Sequence, residues 1–197
     1  MTDSPPPTPA PTSPPTPPDR DDRFTSAWTT KQKLARVLWA LTQATVFRWS
    51  GHPFNAPRRA LLRLFGATVG RGCVIRPSVS VTIPWHLHLG DGCIVGDHAI
   101  LYALAPITLK PYAMVSQYAH LCAGSHDHTR SDLPLTTAPI TVGENAWVAA
   151  DAFVGPGVTL GDGCVLGARS AAFKDLPAHT ICTGTPAKPT KPRDYAA

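Results

Sequence analysis

Between Val142 and Phe173 the chain reads VGENAWVAADAFVGPGVTLGDGCVLGARSAAF, with an aliphatic or small apolar residue at every sixth position: Val142, Val148, Val154, Leu160, Leu166 and then Ala172. A small residue follows most of these (Gly143, Ala149, Gly155, Gly161, Gly167), and a second modest one sits four places on (Ala146, Ala152, Val158, Cys164, Ser170). A period of six matches neither the 3.6-residue helix nor the two-residue alternation of a strand. Repetition at a fixed short period points to a stack of identical units, each too small to bury its own apolar side alone. Three hexads close one triangular coil, with a short strand on each side and a small residue at each corner. The recurring aliphatic then points inward and rests on its equivalent one coil away, so the expected fold class is an all-β solenoid of parallel strands.

The same phase extends upstream with interruptions. Val69, Ile75 and Val81 make a first coil, Leu89, Val95 and Leu101 a second, and Leu109, Val115 and Leu121 a third. Between coils the spacing stretches to eight at Pro84-Trp85-His86 and at Ala105-Pro106-Ile107, which reads as enlarged corners. After Leu121 the next aliphatic in phase is Val142, so HDHTRSDLPLTTAPIT leaves the wall as an excursion loop. Long excursions from a repeat scaffold are where function concentrates.

Four segments follow from this phase. Residues 1–23 are Pro-, Thr- and Ser-rich with nothing to bury, and are expected to form a disordered tail. Residues 24–66 form an N-terminal helical segment. In it Leu34, Val37, Leu38, Leu41, Thr45 and Val46 recur at helical spacing, and RRALLRLF before Gly66 reads as a second short helix. Residues 67–176 form the β-helix, with its excursion loop at 126–140, and Pro177 is expected to end it. Residues 177–197 form a basic, Pro-rich C-terminal extension. Two roles stay open for 31–65: a helical cap packed on the first coil or on a neighbouring subunit, or a basic amphipathic surface resting on an anionic membrane.

The 197 residues leave room for one domain plus appendages, and 18 Lys and Arg against 13 Asp and Glu give a modest net charge of +5 that suits anionic ligands. The five cysteines lack CxxC spacing, and Cys73, Cys93 and Cys164 fall in the small slot of hexads. Buried reduced thiols in a reducing compartment, the cytoplasm, are expected. No signal peptide opens the sequence, and no apolar run reaches the roughly 20 residues of a spanning helix.

Three stretches carry a family resemblance: RRALLRLFGATVG, then SQYAHLCAGSHDHTRSDLPLTTAPITVGENAWVAADAFVGPGVTLGDG, then KDLPAHTICTGTPAK. Over residues 24–193 the chain resembles the hexapeptide-repeat acyltransferases, and within them the colanic-acid-type exopolysaccharide acetyltransferases related to maltose and galactoside acetyltransferases. The resemblance implies a left-handed parallel β-helix, although general crossover rules favour the right hand. It implies an O-acetyltransferase that takes acetyl-CoA as acyl donor and a saccharide or lipid-linked saccharide as acceptor. It also implies a homotrimer with sites between subunits, no metal, and no nucleic-acid partner.

Site residues follow by the same resemblance. His126, at the root of the excursion loop, matches the general base that takes the acceptor hydroxyl's proton. Asp127 is a candidate to orient the imidazole or meet the sugar, while His120 and His128 read as wall or loop residues. Ala150 and Ala168 match positions that let the pantetheine arm approach backbone amides, and Trp147 matches a position of the same motif. Lys174, Lys188 and Lys191 match basic residues near the nucleotide phosphates; two of these are often Arg in relatives, so the grip here is that of point charges. HAILYALAP stands where maltose and galactoside acetyltransferases place an Asn, a departure in the acceptor pocket. Three other readings compete: a γ-carbonic-anhydrase-like zinc site on His120, His126 and His128, a non-catalytic scaffold, and thiol catalysis through Cys122.

Overall fold

The computed structural model describes residues 28–51 and 53–194, so the tail expected at 1–23 lies outside the described residues. The hexads form a parallel β-helix with three walls, here called faces A, B and C. Five coils are complete, and a sixth is begun by Leu176, bridged to Leu160, and by the strand Thr180–Thr183.

The phase read from the sequence is the register of the walls. On face A, Val69 pairs with Leu89, Leu89 with Leu109, Leu109 with Val142 and Val142 with Leu160. On face B the column is Ile75, Val95, Val115, Val148, Leu166 and Cys182. On face C it is Val81, Leu101, Leu121, Val154 and Ala172. Every one of these side chains is buried, and each buried Val or Leu contributes roughly 1.5–3 kcal/mol of transfer free energy. The interior is thus one continuous rod of aliphatics, and a one-residue slip in any hexad would expose it.

Corners account for the small residues. At the turn from face A to face B, a Cβ on Gly90 would lie 2.6 Å from the nitrogen of Pro111 one coil away, and one on Gly143 would lie 2.6 Å from the nitrogen of Asp162. Only glycine leaves room for the next coil there. At the turn from B to C, the left-handed residue is His98, Tyr118, Asp151 or Arg169, with φ between 57° and 60°. The enlarged corner after the first coil is a 3-10 turn over Pro84–His86.

Helix α1 spans Thr30–Thr42 and opens on a capping box between Thr29 and Gln32. It continues as a π turn over Gln43–Phe47, and helix α2 spans Asn55–Leu64. The residues that pack are Trp39 and Phe47, both buried, with rings 5.7 Å apart. Eight residues of plain α-helix would set Phe47 roughly 80° around the axis from Trp39, and the wider π turn takes up part of that angle. Trp39 donates its indole N–H to the Val81 carbonyl at 2.6 Å, and Gln43 accepts from the Val81 N–H at 2.7 Å. The helix therefore caps the lip of face C. Leu34, Val37, Leu38 and Leu41, the apolar stripe read from the sequence, are exposed on the other side.

Arg58 is fully buried on α2. It donates to the carbonyls of Ile75, Ser50 and Gly51 and to the Oδ1 of Asn55, which also accepts from the Ile75 N–H. One guanidinium thus ties the turn between the helices to the first coil.

The solenoid does not stop at Pro177. Thr180–Thr183 adds a parallel strand to face B, and Lys188–Pro192 turns back antiparallel along it. Pro177 and Pro186 fall in the corners, where no ladder hydrogen bond is needed from them.

Candidate active site

The excursion is a braced hairpin. After the face C strand His120–Cys122, the strand Gly124–His126 pairs antiparallel with Leu135–Thr137, setting His126 opposite Leu135, and the chain rejoins the wall at Ile140. Asp127 donates its N–H to the Pro134 carbonyl, Arg130 donates its N–H to the Asp127 carbonyl, and Arg130 pairs with Asp132 at 2.6 Å. The hairpin stands at the corner between faces C and A.

His126 is exposed at the end of its strand, and its Nδ1 lies 2.5 Å from the carbonyl oxygen of Leu133. A carbonyl can only accept, so Nδ1 carries the proton and donates it, leaving the Nε2 lone pair free to accept another. Leu133 holds φ +47°, a conformation that costs a leucine on the order of 1–2 kcal/mol. That backbone geometry is what presents its carbonyl to the ring, and nothing in the sequence reading had marked Leu133.

Asp127 is not what orients the imidazole. Its Oδ1 accepts from the Thr129 N–H at 3.0 Å and the Thr129 hydroxyl at 2.6 Å, which hold its carboxyl below the usual carboxylate range. It shapes the loop that carries Leu133.

His120 belongs to the wall. Its ring meets Phe153 edge-on at 5.5 Å and Tyr102 at 6.4 Å, and Phe153 continues to Phe173, so the outer surface of face C is a ladder of aromatics. Burial pushes its imidazole toward the neutral form, and Nε2 has no hydrogen-bond partner. Among the described residues no three His, Cys, Asp or Glu side chains come together as metal ligands. With His120 packed into an aromatic wall and no third ligand beside His126 and His128 among the described residues, the residues present do not fit the zinc reading. Cys122 is half-buried and donates its thiol to the Gly124 carbonyl at 3.1 Å.

The residues matched to the donor lie elsewhere. Trp147 stands on the outer side of face B and donates its indole N–H to the Ser116 hydroxyl at 2.8 Å. Ala150 and Ala168 stack at the corner between faces B and C, joined through the Arg169 N–H and the Ala150 carbonyl. Lys188 begins the antiparallel strand near this corner, with Lys191 farther along it. Lys174 sits at the C–A corner of the fifth coil, on the side of the His126 hairpin. Within one chain, then, His126 and Lys174 share one corner and Ala150, Ala168 and Lys188 another, with face C between them.

A cleft of about 280 Å³ opens beside the hairpin, lined by Trp28, Gln32, Leu104, Leu135 and Thr137. The N-terminal end of α1 therefore reaches the hairpin that carries His126, while its middle caps the first coil. Trp28 and Gln32 had no role in the sequence reading.

A coiled wall of hexads with a histidine-bearing hairpin at one corner defines a class: the chain belongs to the hexapeptide-repeat acetyltransferase family. Residues 139–171 match the family model "Bacterial transferase hexapeptide (six repeats)". The chain is 51% identical over 150 residues to the putative colanic acid biosynthesis acetyltransferase WcaF of Escherichia coli K12, covering 76% of this chain and 82% of that protein. It is 28% identical over 145 residues to the galactoside O-acetyltransferase of the same organism, covering 70% of each. In fold it is similar to a hexapeptide-repeat acetyltransferase of Vibrio cholerae O1 biovar eltor crystallised with acetyl coenzyme A, with a TM-score of 0.73 and 20% identity over 86% of this chain and 93% of that one.

Proposed function

We propose that this acetyltransferase moves the acetyl group of acetyl-CoA to a sugar hydroxyl of an exopolysaccharide or its lipid-linked precursor, directly within a ternary complex. The observation that carries the reading is the His126 ring, with Nδ1–H held by the Leu133 carbonyl and Nε2 left open at the surface. Nε2 takes the acceptor's hydroxyl proton as that oxygen attacks the acetyl carbonyl carbon. The tetrahedral adduct collapses with cleavage of the carbon–sulfur bond, and the imidazolium returns its proton to the departing thiolate. The Leu133 carbonyl stabilises the imidazolium through the step, as an orienting acceptor does in a catalytic triad.

The hexapeptide-repeat acetyltransferase crystallised with acetyl coenzyme A supports the donor, and the likeness to a putative colanic acid biosynthesis acetyltransferase supports the acceptor class. Lys188 and Lys191 are exposed on an edge strand, where they serve the donor's phosphates as point charges. The cleft at Trp28 and Gln32 is the acceptor's approach to His126. Because face C separates the His126 corner from the Ala150 and Ala168 corner, a complete site takes one corner from each of two chains. A closed cyclic homotrimer in the cytoplasm supplies that arrangement three times over.

The test is to incubate the protein with acetyl-CoA and a lipid-linked saccharide and to follow both free CoA thiol and acetylated product. Acceptor-dependent release of thiol is expected. Thiol release only at the rate of hydrolysis, across a panel of saccharide acceptors, would overturn the reading.

A further inference from the structure

The apolar stripe of the first helix faces outward. Leu34, Val37, Leu38 and Leu41 are 61%, 57%, 50% and 61% exposed, although they recur at the i, i+3, i+4, i+7 spacing of one face. At 100° per residue they span an arc of about 100°, and Trp39, which packs on the first coil, lies roughly 150° from its middle. The helix is thus docked by one side and apolar on the other. Exposed apolar patches of this kind mark contact surfaces.

Charge selects the partner. Between Phe24 and Gly90 lie nine of the chain's 18 Lys and Arg and none of its 13 Asp and Glu, so the rest of the molecule is net acidic. Lys31 and Lys33 border the stripe on either side by helix geometry, and Arg48 follows at its C-terminal end, all three exposed. An apolar stripe rimmed only by cations is complementary to an anionic, apolar layer. A second copy of this chain would instead bring like charges together around the stripe.

We infer that the outer face of α1 rests on an anionic lipid bilayer. Leucines enter the headgroup boundary, and Lys31, Lys33 and Arg48 meet lipid phosphates. Because the same helix begins beside the His126 hairpin, lying on the bilayer brings that hairpin toward the surface where a lipid-linked acceptor is anchored. The inference rests on the acceptor class proposed above and supplies its partner. The contact so inferred is peripheral; among the described residues no helix is long and apolar enough to cross a membrane.

Co-sedimentation of the full chain with phosphatidylcholine vesicles, with and without phosphatidylglycerol, tests it, with CoA binding and oligomeric state measured in parallel. Binding to the anionic vesicles, weakening with salt, is expected. Lys31→Gln/Lys33→Gln should weaken it roughly 5-fold for each lysine. Leu34→Gln/Leu38→Gln/Leu41→Gln should weaken it at least about tenfold. Both variants should keep the parent's CoA affinity and oligomeric state. No vesicle binding by the parent overturns the inference while leaving acetyl transfer standing, and so does undiminished binding by the leucine variant. A changed oligomeric state in that variant assigns the stripe to a second copy and overturns it equally. Vesicle binding without CoA binding would remove the acetyl-transfer reading instead.

Discussion

Leu133 offers the sharpest perturbation, because its backbone and not its side chain is what the site uses. Its carbonyl accepts the proton of the His126 Nδ1, and its φ of +47° is what aims that carbonyl. Leu133→Pro fixes φ near −65° and deletes the N–H that is donated to the Arg130 carbonyl, so the oxygen must swing away. The hydrogen bond contributes about 1 kcal/mol while the ring is neutral, but about 1.5–3 kcal/mol once the ring is charged in the transition state. The excess in the charged state, about 0.5–2 kcal/mol, is what catalysis loses, so kcat should fall roughly 2- to 30-fold with little change in KM for acetyl-CoA. Leu133→Gly makes the opposite test. The side chain is half exposed, and glycine adopts the left-handed conformation without strain, so the carbonyl stays and the fold should gain up to about 1 kcal/mol. Steady-state kinetics and thermal unfolding of the two variants together decide it. If Leu133→Pro turns over like the parent, the carbonyl does not orient the base and the tautomer argument fails.

Two further outcomes follow from charges at the edges of the coils. Lys188→Glu and Lys191→Glu should each raise KM for acetyl-CoA more than they lower kcat, with an effect that shrinks in salt, since both lysines are exposed; unchanged CoA affinity in both would remove them from the donor site. Asp162 accepts from the Glu144 N–H and pairs with Lys110, which hold its carboxyl below the ordinary range. A depressed folded pKa means that its contribution is present above the unfolded value of about 3.9 and is lost as pH falls through the folded value. Asp162→Asn keeps an acceptor but cannot titrate, so its unfolding midpoint should fall less steeply below pH ~4 than the parent's, and equal acid slopes would exclude the role.

Much of the scaffold was legible because a solenoid is written locally. Each hexad aliphatic has one neighbour above and one below, so period alone fixes both burial and register, from Val69 to Ala172. The helical segment was legible as helix, but which of its sides meets protein was not. Periodicity says that Leu34, Val37, Leu38 and Leu41 share a side, not that the side meets protein. Two aromatics, with their larger buried areas and an indole N–H to satisfy, decided the docking instead. The end of the solenoid was placed too early at Pro177, because a proline in a corner looks the same in sequence as one that stops a strand. His126 and its loop were visible through motif resemblance. Leu133 was not, since a backbone carbonyl leaves no residue-type signal, and neither were Trp28 and Gln32, which approach the hairpin only once the helix has docked.

Central to the account is a single imidazole nitrogen acting as base, and His126→Ala reads it directly. The side chain is exposed at the end of a hairpin strand and is no part of the stacked rod, so oligomeric state, melting temperature and CoA affinity should stay those of the parent. The kcat for acceptor-dependent transfer should drop on the order of 10²–10⁴-fold, the worth of a positioned general base. A variant that binds CoA and transfers acetyl groups at near the parental rate would contradict the mechanism, whatever the fold.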